Sequence, residues 1–340
     1  MMTKAFITGC ADLRLNADEV AFFGAERPWG LILFRRNVAE PAQVADLIAS
    51  FRDAVGRADA PVLIDQEGGR VQRLKPPHWP DYPPGRHYGR LFAGDPVAGE
   101  RAAWLGARLI AHDLHELGID VDCLPVLDVP VAGGHAVIGD RAYGEDVETV
   151  TTLASAAAEG LMCGGVLPVA KHVPGHGRAA ADSHLELPRV LATAEDLEAS
   201  DFEPFRRLVR LPLAMTAHVV YTAFDAVCPA TTSRKVIETV IRGVIGYEGC
   251  LMSDDLSMRA LTGSLGERTA AAFAAGCDLA LHCNGDMAEM VEIAAATPQL
   301  AGKAALRAQA ALDARREPGP LDEMAAREEF DALLAPVGEV

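Results

Sequence analysis

The densest group of reactive side chains lies in residues 171–184. This segment begins Lys-His-Val-Pro-Gly-His-Gly-Arg and ends Asp-Ser-His. Its proline and glycines oppose any regular element, so the sequence predicts an irregular loop that is rich in cationic and proton-transferring groups. Such a concentration of imidazoles is more typical of a ligand site than of a solvated surface loop.

Asp182 and His184 in this loop form a candidate acid/base pair. They are two residues apart, so their side chains lie on the same side of an extended chain. A carboxylate that accepts a hydrogen bond from one ring nitrogen fixes the imidazole tautomer and makes the other nitrogen a better proton acceptor. The pair therefore indicates general acid/base catalysis.

The histidines also permit a metal site as an alternative. His172, His176, His184 and His218 are of the residue type that metal-dependent hydrolases place at strand ends. Lys171 opposes this interpretation, because an ammonium group adjacent to His172 would repel a divalent cation. The sequence therefore favours a site with neither a metal nor an organic cofactor.

Two further charge clusters follow apolar runs. The first, Asp-Gln-Glu-Gly-Gly-Arg-Val-Gln-Arg, extends from Asp65 to Arg73 and includes paired glycines that permit tight turns. It suits recognition of a polyhydroxylated or anionic ligand, although Asp65 and Arg73 can equally pair with each other. The second contains Arg141 beside Asp140 and Tyr143, where the guanidinium group can either bind an acyl or carboxylate group or pair with its neighbour.

A pair of acids, Asp254 and Asp255, ends another apolar run. A carboxylate at a buried strand terminus is costly unless it is hydrogen-bonded or reactive, so we expect one of the two to be functional. Side-chain alternation along a strand predicts that one points into the site and the other points away.

Eight short apolar runs are predicted to be the strands that position these side chains. They are residues 5–9, 30–34, 61–64, 119–127, 166–170, 211–217, 250–252 and 277–283. The amphipathic segments between them predict helices, among them residues 44–55, 100–117, 147–162, 194–209, 234–245 and 267–275. This alternation of strand and helix indicates parallel strands that are buried on both faces.

Eight such units most naturally close into a single (β/α)8 TIM-type barrel. A doubly wound open sheet is the alternative, but no helix opens with the G-x-G-x-x-G motif. The segments after the third, fourth and fifth runs are long and polar, as in barrels whose sites are built at the strand C-termini. Residues 1–340 are predicted to form one catalytic domain, with residues 317–340 as a C-terminal capping helix segment.

Charge and composition oppose several classes of function. The 340 residues carry 31 Lys and Arg against 48 Asp and Glu, a net charge of −17, which opposes nucleic-acid binding. No apolar run reaches the roughly 18 residues of a membrane span, and the N-terminal segment lacks the apolar length of a signal peptide. Seven cysteines without a C-x-x-C motif indicate reduced thiols. These features predict a cytoplasmic protein without nucleic-acid partners or stable membrane insertion. We also expect a monomer in preference to an oligomer.

Three motifs, in order along the chain, resemble glycoside hydrolase family 3 and specifically its bacterial β-N-acetylhexosaminidases. They are the run from Asp65 to Arg73, the Lys171-His172-x-Pro174-Gly175-His176-Gly177 motif with Asp182-Ser183-His184, and Ser253-Asp254-Asp255-Leu256-x-Met258. The resemblance covers nearly the whole chain.

The resemblance implies a cytoplasmic, retaining, exo-acting β-N-acetylglucosaminidase of cell-wall recycling. Its substrate would be terminal non-reducing N-acetylglucosamine, β-linked in anhydro-muropeptides. By the same resemblance, Asp254 would be the nucleophile that forms a covalent glycosyl-enzyme, and His184, oriented by Asp182, would protonate the leaving oxygen and later activate water. The positions implied to hold the sugar hydroxyls and acetamide are Asp65, Arg73, Arg141, Lys171 and His172. A histidine suits the acid/base role, since its unperturbed pKa of about 6.5 lies near neutral pH.

Three other functions stay open at this point. A phosphorylase would let phosphate rather than water attack the glycosyl-enzyme, and a neutral imidazole would repel phosphate less than a carboxylate would. A metal-dependent barrel hydrolase would use the histidines as ligands. A non-catalytic sugar-binding protein would keep the pocket alone, and the complete set of Asp182, His184 and Asp254 opposes it.

Overall fold

A computed structural model describes residues 2–179, 181, 183 and 186–335. Eight parallel strands close into a barrel, which confirms the predicted (β/α)8 TIM-type architecture. The strands are β1 (Lys4–Thr8), β2 (Pro28–Leu33), β3 (Val62–Ile64), β4 (Val121–Asp122), β5 (Leu167–Val173), β6 (Leu213–Thr216), β7 (Cys250–Asp255) and β8 (Leu279–His282). Each strand pairs with its neighbours in sequence, and β1 pairs with β8 to close the ring.

Helices surround the barrel and connect its strands. They are α1 (Ala17–Glu26), α2 (Pro41–Val55), α3 (Gly85–Gly94), α4 (Pro96–His115), α5 (Val147–Cys163), α6 (Ala194–Ala199), α7 (Glu203–Arg207), α8 (Leu265–Ala275), α9 (Met287–Ala296), α10 (Gly302–Asp313) and α11 (Glu323–Leu334). Side chains cap several of them: Asn16 accepts from the Glu19 amide at α1, and Ser264 accepts from the Glu267 amide at α8. Within the described ranges no helix has both the length and the apolar character to cross a bilayer.

The strands are buried on both faces, as a parallel barrel requires. Alternate residues such as Ile7, Ile32 and Val169 pack together inside the barrel. The residues between them, such as Phe6 and Leu31, pack in the layer between the strands and the helices. This two-sided burial explains why the strands occur in the sequence as continuous apolar runs.

Four predicted elements differ from the structure. The predicted strand at 166–170 continues to Val173, so Lys171 and His172 lie in β5 and not in an irregular loop. The predicted strand at 119–127 is reduced to Val121–Asp122, because Pro125 has no amide hydrogen to donate to the ladder. The predicted helix at 194–209 is divided into α6 and α7, since Pro204 cannot continue a helix from the preceding turn. The predicted helix at 234–245 is helical, but Val236–Val244 forms a π-helix.

The long connections after β3, β4 and β5 lie at one end of the barrel, where the strands have their carboxyl ends. After β3 the chain forms an antiparallel hairpin of Gln66–Gly68 with Val71–Gln72. Gly68 and Gly69 both adopt positive φ, at 96° and 56°, where a side chain would be strained. A Cβ on Gly68 would also lie 2.3 Å from the Pro83 carbonyl oxygen, so the paired glycines are required by this turn.

The C-terminal helix α11 packs against α4. Arg101 forms an ion pair of 2.7 Å with Glu329, and Arg327 one of 2.8 Å with Asp113. Phe330 is buried within the outer core layer. These contacts hold α11 against α4 on the outside of the barrel.

Candidate active site

One cavity of about 300 Å³ lies at the carboxyl ends of the strands. Six of the eight residues that the sequence predicts for the site line it, namely Asp65, Arg73, Arg141, Lys171, His172 and Asp254. The other two, Asp182 and His184, lie outside the described residues. The cavity therefore brings together side chains that follow β3 and β4 with side chains from the ends of β5 and β7, and these are far apart in sequence.

Asp65 lies between two cations. Its carboxylate oxygens are 2.9 Å from Arg73 Nη2 and 3.0 Å from Lys171 Nζ. Burial alone would raise the pKa of Asp65, but the two cations outweigh it and hold the pKa well below its usual range. The alternative that Asp65 and Arg73 pair with each other is thus correct as geometry, and both side chains still face the cavity.

Glu67 is a second buried carboxylate, which the sequence reasoning did not single out. It accepts two hydrogen bonds of 2.8 Å from Arg141 and lies 2.5 Å from Lys171 Nζ. Burial would raise the pKa of Glu67, but these cations lower it to about 2. Arg141 therefore pairs with Glu67 and not with Asp140. The signal was available, because Glu67 is two residues from Asp65 and shares its side of an extended chain.

Asp128 is the other carboxylate that sequence reasoning missed. It is fully buried and accepts from His172 Nδ1 at 2.7 Å, and its second oxygen accepts from the backbone amides of His172 and His176. Burial alone would raise its pKa, but His172 lowers it to about 2. The pair fixes the orientation of the His172 ring at the cavity wall. Asp128 follows the apolar run at 119–127, a position that could have marked it.

His176 lies behind His172 and connects to the loop that carries the predicted acid/base pair. Its Nε2 is 3.1 Å from Ser183 Oγ, and the two histidine rings are 5.7 Å apart in an edge-to-face arrangement. Burial lowers the pKa of His176 to about 4, so the ring is neutral at pH 7. Ser183 is also held through its carbonyl oxygen, which accepts from the Ala260 amide.

Asp254 lies in a β-bulge. Met252 pairs with Leu279 and Asp255 pairs with Leu281, so three steps along β7 correspond to two along β8. Ser253 Oγ accepts the hydrogen bond of the Leu281 amide. A bulge of this kind changes the direction of its side chains.

The two acids of β7 point in different directions, as predicted. Asp254 lines the cavity. Asp255 instead accepts hydrogen bonds from the Ser257 hydroxyl at 2.7 Å and from the Ser257 and Cys283 amides. Asp255 thus stabilises the local backbone, and Asp254 is the acid of the pair that lines the cavity.

Arg70 is a further cavity residue that the sequence reasoning did not assign. It forms an ion pair of 2.9 Å with Asp140, and its Nη2 donates to the carbonyl oxygens of Ala136, Val137 and Ile138. Through these bonds the hairpin of residues 66–72, which follows β3, holds the loop that follows β4. Arg70 therefore shapes one wall of the cavity.

The cavity can bind a polar, uncharged ligand and place a carboxylate against it. Arg73, Arg141 and Lys171 pair with two carboxylates, Asp65 and Glu67, so the wall offers many hydrogen-bond donors while these five side chains carry a net charge of only one. Within the described part of the chain, the buried Nε of Arg73 has no hydrogen-bond partner, as expected of a donor that a ligand satisfies. Among the described residues no three His, Cys, Asp or Glu side chains are grouped so as to hold a metal ion.

A family model and the sequences of known proteins both match this chain over most of its length. Residues 12–315 match the family model described as Glycosyl hydrolase family 3 N terminal domain. A Beta-hexosaminidase of Alkalilimnicola ehrlichii is 41% identical over 288 residues, which cover 84% of this chain and 82% of the relative. A Beta-hexosaminidase of Methylococcus capsulatus is 39% identical over 328 residues, which cover 95% of this chain and 92% of the relative.

One solved structure is similar to this protein over nearly the whole chain. It is that of NagZ from Neisseria gonorrhoeae in complex with N-trifluoroacetyl-D-glucosamine, with a TM-score of 0.84 and 32% sequence identity. The superposition covers 99% of this chain and 98% of that one. Since the family model and the relatives span most of the sequence, the protein is a glycoside hydrolase and belongs to glycosyl hydrolase family 3.

Proposed function

We propose that the protein is a retaining exo-β-N-acetylglucosaminidase. The observation that carries the proposal is the meeting of Asp254 with the five predicted sugar-binding side chains in a single cavity. The names of the relatives and the sugar derivative bound in the Neisseria gonorrhoeae structure support the choice of sugar.

The cavity is suited to one terminal sugar residue. Its volume of about 300 Å³ is at the small end of ligand pockets, which hold roughly 300–1,000 Å³. Asp65, Arg73, Arg141, Lys171 and His172 would hold the hydroxyl groups and the acetamide. The ion pairs among Asp65, Arg73 and Lys171 fix these side chains before the sugar enters, which reduces the entropy lost on binding.

In the proposed reaction an Asp254 carboxylate oxygen attacks the anomeric carbon. The bond from this carbon to the glycosidic oxygen breaks, its electron pair stays on the leaving oxygen, and that oxygen takes a proton from His184. Water then attacks the same carbon and gives a proton to His184, which releases Asp254 as a carboxylate. Two displacements at one carbon retain its configuration.

The acid/base role of Asp182 and His184 is a proposal from the sequence. Support comes from Ser183, which lies between them and is buried. Ser183 contacts His176, from the loop after β5, and Ala260, from the segment after β7. Ser183 itself therefore lies beside the segments that follow His172 and Asp254 in the chain.

We further propose a place for this activity in cell-wall recycling in the cytoplasm. The substrate would be anhydro-muropeptides with a terminal β-linked N-acetylglucosamine, and the enzyme would act as a monomer. Residues 1–340 would form one catalytic domain, with the segment from 317 as a cap. The packing of α11 on α4 supports the capping role.

The proposal is tested by trapping the covalent intermediate. A 5-fluoro N-acetylglucosaminyl inactivator slows both displacements and lets the ester accumulate, after which peptide mapping locates it. We expect the label on Asp254, and Asp254→Ala should abolish turnover of a chromogenic N-acetylglucosaminide while the thermal unfolding temperature stays close to that of the wild type. A label on Asp255 would overturn the assignment.

Substrate and acceptor are tested separately. Hydrolysis rates on matched N-acetylglucosamine, N-acetylgalactosamine and glucose chromogenic substrates should favour the first. Release of N-acetylglucosamine should not depend on phosphate, whereas a sugar phosphate as product would support the phosphorylase alternative. Cleavage of an anhydro-muropeptide, with and without its peptide stem, tests the proposed biological substrate.

A further inference from the structure

The backbone next to Asp254 is held differently on its two sides. On the β8 side, β7 is bonded through the bulge at Ser253 and Asp254. On the β6 side, the ladder in the described residues runs from Cys250 to Met252, which pairs with Met215, and stops there. The stretch that carries Asp254 therefore extends past the last ladder contact with β6.

His218 supplies a hydrogen bond at this position. It follows β6, is fully buried, and its Nε2 lies 2.9 Å from the carbonyl oxygen of Asp255. The side chain thus reaches across from the end of β6 to the end of β7, to the residue that follows Asp254.

The bonds of His218 define its tautomer. A carbonyl oxygen only accepts, so Nε2 must carry a proton. In a neutral ring Nδ1 then accepts, and its partner at 2.7 Å is the hydroxyl of Thr231. Thr231 in turn lies 2.8 Å from the hydroxyl of Thr216. With Nδ1 as acceptor, the single proton of the Thr231 hydroxyl goes to His218 and not to the Ala217 carbonyl oxygen at 3.2 Å, and Thr216 donates to Thr231. The series of donors then runs from Thr216 through Thr231 and His218 to Asp255, and it occupies both ring nitrogens.

Burial supports the neutral form, because it lowers the pKa of His218 below its usual value. With both nitrogens engaged, His218 is not available as a metal ligand, which removes one member of the histidine set considered in the sequence. A buried, satisfied polar chain of this kind is costly to assemble and rigid once formed.

We propose that His218 is a positioning residue for the reaction. Its imidazole bonds the end of β6 to β7 beyond the last ladder pair of these two strands in the described residues, and it thereby fixes the direction in which the Asp254 carboxylate enters the cavity. The inference rests on the proposed role of Asp254 as nucleophile. It adds a residue that touches neither the sugar nor the reacting atoms.

The test is a series of variants whose hydrogen-bonding differs stepwise. His218→Leu removes both bonds, whereas His218→Gln can place an amide N–H where Nε2 lies and keep the bond to Asp255. Thr231→Val removes the donor that fixes the tautomer. Thr216→Val is the matched control. It is the same change at the next hydroxyl of the hydrogen-bond series, and it leaves both bonds of His218 in place.

For His218→Leu we expect kcat to fall roughly 100-fold, the effect of misplacing a reacting group by about 1 Å. The dissociation constant of N-acetylglucosamine, measured by calorimetry, should change by no more than about twofold, since the sugar-binding side chains are untouched. His218→Gln should recover most of the rate. Thr231→Val should lose about tenfold in kcat, and Thr216→Val should behave like the wild type.

Several results would overturn the inference. They are an unchanged kcat in His218→Leu, equal losses in the Leu and Gln variants, or equal losses in the two threonine variants. A merely structural role would lower the fraction of enzyme that the fluorinated sugar labels and leave kcat per labelled site unchanged. If His218→Leu does not fold, the Gln and Val variants decide. Labelling of the wild type away from Asp254 would instead refute the proposed function.

Discussion

Replacing Glu67 with glutamine tests whether the buried charge network stabilises the barrel. The Glu67 side chain is 3% exposed and is bonded to Arg141 and Lys171. Glutamine has nearly the same size, but it is uncharged and offers one oxygen where the carboxylate offers two. The change therefore removes the carboxylate that Arg141 pairs with, and it leaves Asp65 as the carboxylate bonded to Lys171.

The size of the effect follows from the pKa of Glu67. Burial alone would raise it, but Arg141 and Lys171 lower it from 4.5 to about 2. At about 1.4 kcal/mol for each pH unit, the ionised side chain stabilises the folded state by about 3 kcal/mol. Because the folded pKa is the lower one, this contribution is fully present above pH 4.5 and is lost as the pH falls towards 2.

The assay is urea unfolding of the wild type and Glu67→Gln at several pH values. We expect the free energies of unfolding to differ by about 3 kcal/mol between pH 5 and 8 and the difference to shrink below pH 4.5. Glu145→Gln is the control, because Glu145 pairs with Arg86 at 2.8 Å but is 67% exposed, and exposed pairs contribute about 0–1 kcal/mol. Equal losses in the two variants would refute the reasoning.

Three further predictions concern the cavity. Arg141→Lys cannot reproduce the two parallel bonds to Glu67, so calorimetry should show N-acetylglucosamine binding weakened by about tenfold. An unchanged affinity would mean that this pair of bonds does not shape the site. Asp128→Asn removes the charged acceptor of His172 and should weaken binding by about tenfold to 100-fold, with little loss expected in the control Asp59→Asn, whose side chain is 68% exposed. Dialysis against a chelator should leave the hydrolysis rate unchanged, and a loss that added zinc restores would favour the metal-dependent alternative.

The barrel could be predicted from the sequence because parallel strands buried on both faces give continuous apolar runs. The exceptions arise from single prolines. Pro125 interrupts the β4 ladder within an otherwise apolar run, and pairing with β5 resumes at Val126. Pro204 divides a helix whose amphipathic pattern continues on both sides. In both cases the hydrophobic pattern records burial, whereas the missing amide hydrogen determines the element.

Residues that line the cavity were predicted where reactive side chains are concentrated locally, as at Lys171, His172 and Asp254. Glu67 and Asp128 were missed because their importance depends on partners far along the chain. Glu67 pairs with Arg141, which is 74 residues away, and Asp128 with His172, which is 44 residues away. The bulge at Asp254 could not be predicted either, since it is defined by the register of β7 against β8.

The contact between the first and last strands has a consequence for how the enzyme is made. Thr8 Oγ1 and His282 Nδ1 are 3.3 Å apart across a separation of 274 residues. During synthesis β1 must therefore wait for almost the whole chain before it meets its second neighbour. The cavity takes its walls from both ends of that span, so a nascent chain that stops before β7 has no complete pocket. We expect sugar affinity to arise in one late step of synthesis rather than to grow with chain length.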